Sequence, residues 1–327
     1  MTAARPRVYV AQPLFAEVLA PLAAHAELAV EPVEGRRDAA ALAAGLREAD
    51  AAIVTIAERV DAAAIAGAAR LRIVANVGVG YDNLDLAALR AAGIAASNTP
   101  DVLTDTVADF AFALLLGAAR RVTEAERWLR DGQWQRWSFD RLLGRDVHGA
   151  TLGILGMGRI GQAIAERARG FRMTVLYHNR RALPPALEQA CDARRVEQDE
   201  LLSRADFLIV AVPYTPATHH LIDAAALARM KPDAFLINIA RGGVVDDAAL
   251  AAALAAGRLG GAALDVFEGE PAVDPGLLAA GHVVLTPHIA SASRDTRRAM
   301  VAMAVANVLA ALGHGPQAGR PPNLVGG

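Results

Sequence analysis

The stretch Thr151-Leu152-Gly153-Ile154-Leu155-Gly156-Met157-Gly158-Arg159-Ile160-Gly161 decides the fold of this chain. Its first half is apolar and predicts a buried strand, its second half is a Gly-x-Gly-x-x-Gly loop, and residues 162–170 predict a helix. A second strand at 174–177 completes a βαβ unit. In such a unit the first glycine permits a tight turn, the second lets backbone approach a phosphate, and the third lets the helix pack on the strand. The stretch therefore predicts a dinucleotide pyrophosphate site at the helix N-terminus.

Other short apolar runs alternate with alanine-rich helical segments, which predicts further parallel βαβ units. These runs lie at residues 7–11, 52–56, 73–77, 207–212, 235–238 and 283–285. The chain has 327 residues, and a typical domain has roughly 150, so we expect two α/β domains with doubly wound parallel sheets. A late helix at 295–312 would return to the first domain and make it discontinuous.

Composition excludes several classes of partner. The formal net charge is −2, and the dispersed Lys and Arg form no basic stripe of the kind that binds nucleic acid. The longest apolar stretches, such as 110–119, are shorter than the roughly 20 residues of a membrane span. The N-terminus lacks the apolar core of a signal peptide, which favours a cytoplasmic protein. Cys191 is the single cysteine, and the sequence contains no recognisable zinc-binding motif. We therefore expect a small-molecule substrate, no nucleic acid, no membrane and no metal.

Two segments point to self-association. Residues 105–121 predict a long helix that is apolar on all sides, which indicates burial between domains or subunits. Residues 128–147 are polar and lack periodicity, but contain Trp134 and Trp137. This second segment fits an arm that reaches over a partner subunit, and it fits a surface loop with two half-buried tryptophans equally well. A homodimer is the prediction.

Polar residues collect where the predicted strands of the second domain end. Pro213, residues 238–242, Asp265 and His288 are placed at the carboxyl ends of these strands. Open α/β sheets bind ligands along the carboxyl edge of their strands. We therefore expect the chemistry at this edge.

Several phrases in the chain resemble those of the D-isomer-specific 2-hydroxyacid dehydrogenases. They are Val79-Gly80-Tyr81-Asp82-Asn83, Asn98-Thr99-Pro100, Asn238-Ile239-Ala240-Arg241-Gly242, Leu264-Asp265-Val266-Phe267-Glu268-Gly269-Glu270-Pro271 and Pro287-His288-Ile289. The resemblance covers nearly the whole chain. It implies a Rossmann-type dinucleotide domain at residues 101–289, inserted in a flavodoxin-like substrate domain formed by 1–100 and 290–327.

The resemblance also implies a catalytic set of Arg241, Glu270 and His288. Reduction of a 2-keto acid requires a proton for the developing alkoxide, and histidine titrates near neutral pH. A carboxylate on the other imidazole nitrogen fixes the tautomer and favours imidazolium, which is the role of Glu270. The planar fork of Arg241 suits the substrate carboxylate and can polarise the C2 carbonyl. Taken singly, each residue could instead be an ordinary surface or turn residue, and only the constellation favours catalysis.

Further binding roles follow from the same resemblance. The backbone N–H groups of Val79 and Gly80 would bind the substrate carboxylate, and Asp265 would accept the nicotinamide amide. Thr104 and Ser291 could touch the cofactor or cap helices. The remaining predicted cofactor contacts are Gly156, Gly158, Arg159, Ile160, Gly161, Pro213 and Ala240.

The end of the second strand of the βαβ unit predicts which cofactor is preferred. NAD-specific relatives place an acidic residue there to bind the ribose 2′-hydroxyl. Here the position is Asn179, and Arg180 and Arg181 follow with positive charge suited to a 2′-phosphate. NADP(H) is therefore predicted over NAD(H), although both arginines could be solvated turn residues.

The substrate prediction is a small 2-keto acid. Phosphoglycerate dehydrogenases use arginines near the substrate, where this chain has Thr55 and Asn76. Asn179-Arg180-Arg181, residues 102–109 and the tryptophan segment resemble glyoxylate/hydroxypyruvate reductases, which implies NADPH-dependent reduction of glyoxylate or hydroxypyruvate to the D-2-hydroxy acid. The alternatives are a D-lactate-type, phosphoglycerate or phosphonate dehydrogenase, or a nucleotide-sensing binding protein similar to a co-repressor.

Overall fold

A computed structural model describes residues 5–33 and 38–326. The chain divides into two compact units, Met1–Leu103 with Ala292–Gly327, and Thr104–Ser291. Along the sequence, the second unit is thus inserted into the first. Within the described ranges, no helix has both the length and the apolar character that crossing a bilayer requires.

The first unit is built on one sheet. Its strands are β1 (Arg7–Val10), β2 (Glu27–Val30), β3 (Ala51–Thr55), β4 (Ile73–Val77), β5 (Ala95–Ser97) and β13 (Leu324–Val325). Their order is β2-β1-β3-β4-β5-β13. The first five are parallel, and β13 is antiparallel to β5. The parallel order 2-1-3-4-5 is the flavodoxin-like arrangement. The helices are α1 (Ala16–Ala23), α2 (Ala39–Arg47), α3 (Leu86–Ala91) and α12 (Arg294–Ala311).

The second unit contains a fully parallel sheet. Its strands are β6 (Thr151–Leu155), β7 (Thr174–His178), β8 (Ala193–Arg195), β9 (Phe207–Val210), β10 (Phe235–Asn238), β11 (Gly261–Leu264) and β12 (Val283–Leu285). The order is β8-β7-β6-β9-β10-β11-β12. Counted from β6, this is 3-2-1-4-5-6 with one further strand, so the glycine loop after β6 lies at the point where the strand order reverses. The sequence prediction of two doubly wound sheets, one Rossmann-type and one flavodoxin-like, is confirmed.

Eight helices surround this sheet in the described part of the second unit. They are α4 (Thr104–Ala119), α5 (Val122–Arg130), α6 (Arg159–Gly170), α7 (Pro185–Ala190), α8 (Gln198–Arg204), α9 (Ala224–Arg229), α10 (Asp247–Ala255) and α11 (Pro275–Ala279). The apolar face of α4 packs on α6, β10 and β11 of its own unit. Asp105 and Asp109 of α4 also pair with Arg167 of α6, at 3.2 and 2.6 Å. The burial of this face of α4 is thus explained by contacts inside the second unit.

Two sequence-based boundaries need correction. The strand predicted at 207–212 ends at Val210, because the backbone of Ala211 lies against the glycine loop and Pro213 follows. The irregular segment predicted from Trp128 begins later, because α5 continues to Arg130. Two ion pairs spaced for a helix support α5: Arg121 with Glu124 at 2.7 Å, and Arg130 with Glu126.

Candidate active site

The glycine loop connects β6 to α6 in a shape that only small residues allow. Gly156 has a φ of +106°, and a Cβ there would lie 2.7 Å from the backbone of Ala211. A Cβ on Gly161 would lie 2.4 Å from the carbonyl oxygen of Gly156, so helix and strand meet backbone to backbone. A Cβ on Gly158, in contrast, would meet no protein atom within 4 Å. Gly158 caps α6 without a side-chain hydrogen bond, so this loop leaves open space beside the helix N–H groups, as a pyrophosphate requires.

The end of β7 is tied to this loop. The Asn179 side-chain oxygen accepts a hydrogen bond from the Met157 N–H at 2.7 Å. Arg195, which sequence reasoning missed, donates to the Asn179 carbonyl at 3.3 Å. Arg180 and Arg181 are exposed, and in the portion of the chain with described coordinates neither forms an ion pair. Three arginines thus lie at or beside the end of β7.

His288 and Glu270 form a hydrogen-bonded pair. The distance from His288 Nδ1 to Glu270 Oε2 is 2.9 Å. The other carboxylate oxygen of Glu270 accepts the Phe267 N–H at 2.9 Å. Burial by itself raises the pKa of Glu270, but the hydrogen bond and charge of His288, with help from the Phe267 N–H and Arg241, outweigh burial and lower it. Glu270 is therefore held as a carboxylate, which leaves Nε2 of His288 as the ring nitrogen for chemistry.

The backbone around His288 is held by Asp265. Its carbonyl accepts the His288 N–H at 2.8 Å, and its carboxylate accepts the N–H groups of Ile289 and Ala290, each at 2.8 Å. Asp265 is fully buried, and burial raises its pKa against the opposing effect of these hydrogen bonds. His288 has a φ of +54°, a left-handed conformation that costs energy and is concentrated at functional sites. The carboxylate thus positions His288, and the predicted nicotinamide contact of Asp265 stays a prediction.

Arg241 follows β10 on a loop that lies against the Glu270 segment. A Cβ on Gly242 would lie 1.7 Å from the Phe267 carbonyl oxygen, so any larger residue would separate the two segments. Arg241 Nη1 donates to the Ala240 carbonyl at 2.8 Å, and the Ala240 N–H donates to the buried Asn238 side chain at 3.1 Å. The charge of Arg241 contributes to the lowered pKa of Glu270. The residues with the guanidinium, the carboxylate and the imidazole therefore follow the neighbouring strands β10, β11 and β12.

Comparison with known proteins places this arrangement in a family. Residues 112–290 match the family described as D-isomer specific 2-hydroxyacid dehydrogenase, NAD binding domain. The chain belongs to this dehydrogenase family. Glyoxylate reductase of Thermococcus gammatolerans is 44% identical over 310 residues, covering 94% of this chain and 92% of the relative. Glyoxylate/hydroxypyruvate reductase B of Pectobacterium carotovorum is 50% identical over 247 residues, covering 75% of this chain and 77% of the relative.

A solved structure extends this agreement to the fold. The NADPH-dependent glyoxylate/hydroxypyruvate reductase of Sinorhizobium meliloti, in complex with NADP and malonate, superposes with a TM-score of 0.88 at 38% identity, covering 99% of this chain and 97% of that one. The resemblance seen in the sequence is thus confirmed. The dehydrogenase is an oxidoreductase, and its second unit contains the NAD-binding domain.

The other predicted site residues of the dehydrogenase lie at loops and helix ends. Thr104 is the first residue of α4, Pro213 follows β9, and Ser291 ends the second unit. Val79 and Gly80 form the loop after β4, in the first unit, and are partly exposed. Their contacts with substrate or cofactor stay predictions.

Asp247 of the dehydrogenase is a buried acid that sequence reasoning missed. Its side chain accepts the Glu268 N–H at 2.9 Å, so it holds the start of the segment that carries Glu270. Only 4% of Asp247 is exposed, and its second carboxylate oxygen has no hydrogen-bond partner among the described residues. Burial, opposed by the Glu268 N–H and reinforced by nearby acids, raises the pKa of Asp247 to about 6. The sequence shows only an Asp-Asp pair before an apolar helix, which is an ordinary capping pattern.

Asp247→Asn is therefore expected to stabilise the dehydrogenase in a pH-dependent way. The folded protein binds the Asp247 proton more tightly than the unfolded chain, so stability falls as pH rises through about 4 to 6. Asparagine removes the buried charge, and we expect a gain of about 2 kcal/mol at pH 7.5 and little gain at pH 4. Urea unfolding at both pH values measures this difference. Asp223→Asn, at an exposed helix cap of the same unit, is the control. A gain of equal size at both pH values would contradict the assignment.

Three potential metal ligands meet near the dehydrogenase's Glu270 segment, in the described part of the chain. They are His219, His220 and Glu268. His220 Nε2 already pairs with Glu268 at 2.9 Å. The two imidazoles stack at 3.9 Å with planes only 23° apart, whereas a metal ion lies in the plane of each ring that binds it. Because two stacked rings cannot both direct a nitrogen at one ion, we assign no metal to this group.

Proposed function

We propose that this dehydrogenase uses NADPH to reduce glyoxylate and hydroxypyruvate to the corresponding 2-hydroxy acids, with D stereochemistry where C2 becomes a stereocentre. The pairing of His288 with Glu270 at 2.9 Å, beside Arg241, carries this proposal. It provides a proton donor and a carboxylate-binding cation at the strand edge of an NAD-binding domain. The names of the relatives from Thermococcus, Pectobacterium and Sinorhizobium support the substrate class.

In the proposed mechanism, the side chains orient the acid and move one proton. The guanidinium of Arg241 binds the substrate carboxylate and polarises the C2 carbonyl oxygen. Protonated His288 donates from Nε2 to that oxygen, while Glu270 holds Nδ1 and compensates the positive ring. The backbone N–H groups of Val79 and Gly80 are proposed to bind the same carboxylate. When bound, the reduced nicotinamide supplies the hydride that adds to C2. In the oxidation direction, His288 takes the proton back.

The residues after β7 support NADPH as the preferred cofactor. At position 179 an asparagine stands where NAD-specific relatives have the carboxylate that accepts the ribose 2′-hydroxyl. Arg180 and Arg181 are exposed and free to meet a 2′-phosphate, and Arg195 adds positive charge from the neighbouring strand. A 2′-phosphate would form charge-assisted hydrogen bonds with this group.

Arg180→Ala should therefore lower kcat/KM with NADPH by about 10- to 100-fold and leave kcat/KM with NADH within about 2-fold, since a charge-assisted hydrogen bond contributes about 1.5–3 kcal/mol. Initial rates with both cofactors at saturating glyoxylate measure the ratio. Arg169→Ala is a matched control, because Arg169 is an exposed arginine at the opposite end of α6. An unchanged NADPH to NADH ratio in Arg180→Ala would remove Arg180 from the proposed phosphate site.

A panel of keto acids tests the proposed reaction. Glyoxylate, hydroxypyruvate, pyruvate and a phosphorylated keto acid are each offered with NADPH and with NADH, and loss of the reduced-nicotinamide absorbance is followed. We expect glyoxylate and hydroxypyruvate with NADPH to give the highest kcat/KM, and hydroxypyruvate to yield D-glycerate. A preference for pyruvate, for the phosphorylated acid or for NADH would contradict the proposal.

We also propose that the protein is a homodimer and that the segment after α5 takes part in the interface. Trp134, Trp137 and Phe139 are 57%, 74% and 84% exposed, respectively, in the single chain. Large aromatic side chains exposed together mark association surfaces. Sedimentation equilibrium should give twice the chain mass, and a monomer would contradict this proposal.

A further inference from the structure

We propose that Asn98 is a positioning residue that, with the Thr99 amide, turns the Val79 and Gly80 N–H groups toward the substrate carboxylate. This inference rests on the proposed function, because it concerns the loop that would bind the carboxylate of the keto acid. It adds a role for a buried amide that touches no substrate itself.

The first observation is the direction of two successive carbonyl groups. The Gly78 carbonyl accepts the Thr99 N–H at 3.0 Å, and the Val79 carbonyl accepts a hydrogen bond from Asn98 Nδ2 at 2.7 Å. Asn98 and Thr99 are adjacent in sequence, so both carbonyls turn toward the same segment. The peptide bonds here are trans, and a trans peptide directs its N–H opposite to its C=O. The N–H groups of Val79 and Gly80 therefore both point away from the Asn98–Thr99 segment.

Among residues 5–33 and 38–326, no protein acceptor takes a hydrogen bond from the N–H group of Val79 or of Gly80. Val79 and Gly80 are partly exposed, whereas Asn98 and Thr99, on the other side of the loop, are buried. Two neighbouring donors that face one direction are a suitable pair for the two oxygens of a carboxylate. The Asn98 side chain would thus hold the Val79 and Gly80 N–H groups in place before the substrate binds.

Asn98 is itself anchored from the far end of the chain. Its N–H donates to the Asn323 carbonyl at 3.2 Å. Asn323 exchanges two hydrogen bonds with the fully buried Asn307 of α12, at 3.0 and 3.1 Å. A second amide, Asn76 Nδ2, donates to the Gly80 carbonyl at 2.9 Å. The buried side-chain amides of Asn76 and Asn98 thus both hold the loop, and Asn98 is the one that sets the direction of the Gly80 N–H.

Substitution of Asn98 tests the inference. Asn98→Ala removes the donor, and Asn98→Asp keeps the shape but places a carboxylate oxygen against the Val79 carbonyl. In both variants we expect the KM for glyoxylate and the Ki for oxamate, an unreactive acid of similar shape, to rise about 10-fold or more, which corresponds to about 1.4 kcal/mol. We expect kcat to change by less than about 3-fold and the Kd for NADPH to stay unchanged, since Asn98 acts only on carboxylate binding.

Controls separate positioning from general destabilisation. Asp38→Ala removes the capping bond of α2 in the same unit and should lower the melting temperature without changing KM or Ki. If Asn98→Ala or Asn98→Asp folds and keeps the wild-type KM and Ki, the inference is overturned. Absence of glyoxylate reduction by the wild-type protein would instead overturn the proposed function, so the two failures are distinguishable.

A measurement on the unaltered protein covers the case in which neither variant folds. Hydrogen exchange of the wild-type chain is followed with NADPH alone and with NADPH plus oxamate. The Val79 and Gly80 amides should exchange rapidly without oxamate and become protected when it binds, because they gain an acceptor. Unchanged exchange at saturating oxamate overturns the inference.

Discussion

His288→Gln should lower kcat for glyoxylate reduction by about 1,000-fold, within the range that general acid catalysis contributes. Glutamine can still donate a hydrogen bond, but it cannot transfer a proton to the C2 oxygen. The Kd for NADPH should stay within about 2-fold of the wild-type value, because the glycine loop and the β7 end are untouched. Steady-state rates and a fluorescence titration of NADPH measure the two quantities.

His220→Gln provides a closely matched control for this substitution. His220 also has a positive φ, 48°, and also pairs with a carboxylate, that of Glu268 at 2.9 Å. It differs from His288 in having no part in the proposed proton transfer. We expect His220→Gln to retain kcat within about 3-fold. An equal loss of kcat in both variants would show that the effect of His288→Gln comes from disturbing a backbone of positive φ and not from the loss of a proton donor.

Arg241→Lys should lower kcat/KM for glyoxylate by about 100- to 1,000-fold, which is the range for losing one preorganised donor to a developing oxyanion. Lysine keeps the charge, but its ammonium cannot bind a carboxylate with two parallel N–H groups and direct a further N–H at the carbonyl. Because the interaction grows in the transition state, kcat should fall as well as the affinity for the acid. Single-turnover rates at saturating NADPH separate these contributions.

Arg258→Lys is the control for this second substitution. Arg258 is an exposed arginine in the loop after α10 of the same unit, so the exchange repeats the chemical change away from the site. We expect wild-type kcat/KM. A functional Arg241→Lys enzyme with unchanged kcat/KM would remove the bidentate role of Arg241.

The βαβ unit was predictable because its signals are local. The glycine loop, the apolar run before it and the helix after it lie within 20 residues, from Thr151 to Gly170, and Gly156 and Gly161 each have a steric reason. Strand β11 was missed because Gly261-Ala262-Ala263-Leu264 contains no β-branched or aromatic residue. It is a strand because small residues fit there: a Cβ on Gly261 would lie 2.5 Å from the His282 carbonyl oxygen. That constraint is tertiary and leaves no local signal.

The site was predictable in part for a similar reason. His288 and Arg241 follow predicted apolar strands, and strand ends of a parallel sheet share one edge. The residues that hold the neighbouring loops could not be predicted. Asp247 accepts the Glu268 N–H across 21 residues of sequence, and Asn98 donates to the Val79 carbonyl across 19. Both are polar residues with ordinary local roles available, a helix start for Asp247 and a strand end for Asn98. Their contacts depend on how the loops pack.

A crystal structure of the protein with NADPH and oxamate would show whether Arg241, His288 and Glu270 act together on the acid. We expect the oxamate carboxylate to bind the Arg241 guanidinium, and its carbonyl oxygen to lie within hydrogen-bonding distance of His288 Nε2 while Nδ1 keeps its bond to Glu270. Oxamate bound with its carbonyl away from His288, or with no contact to Arg241, would contradict this expectation.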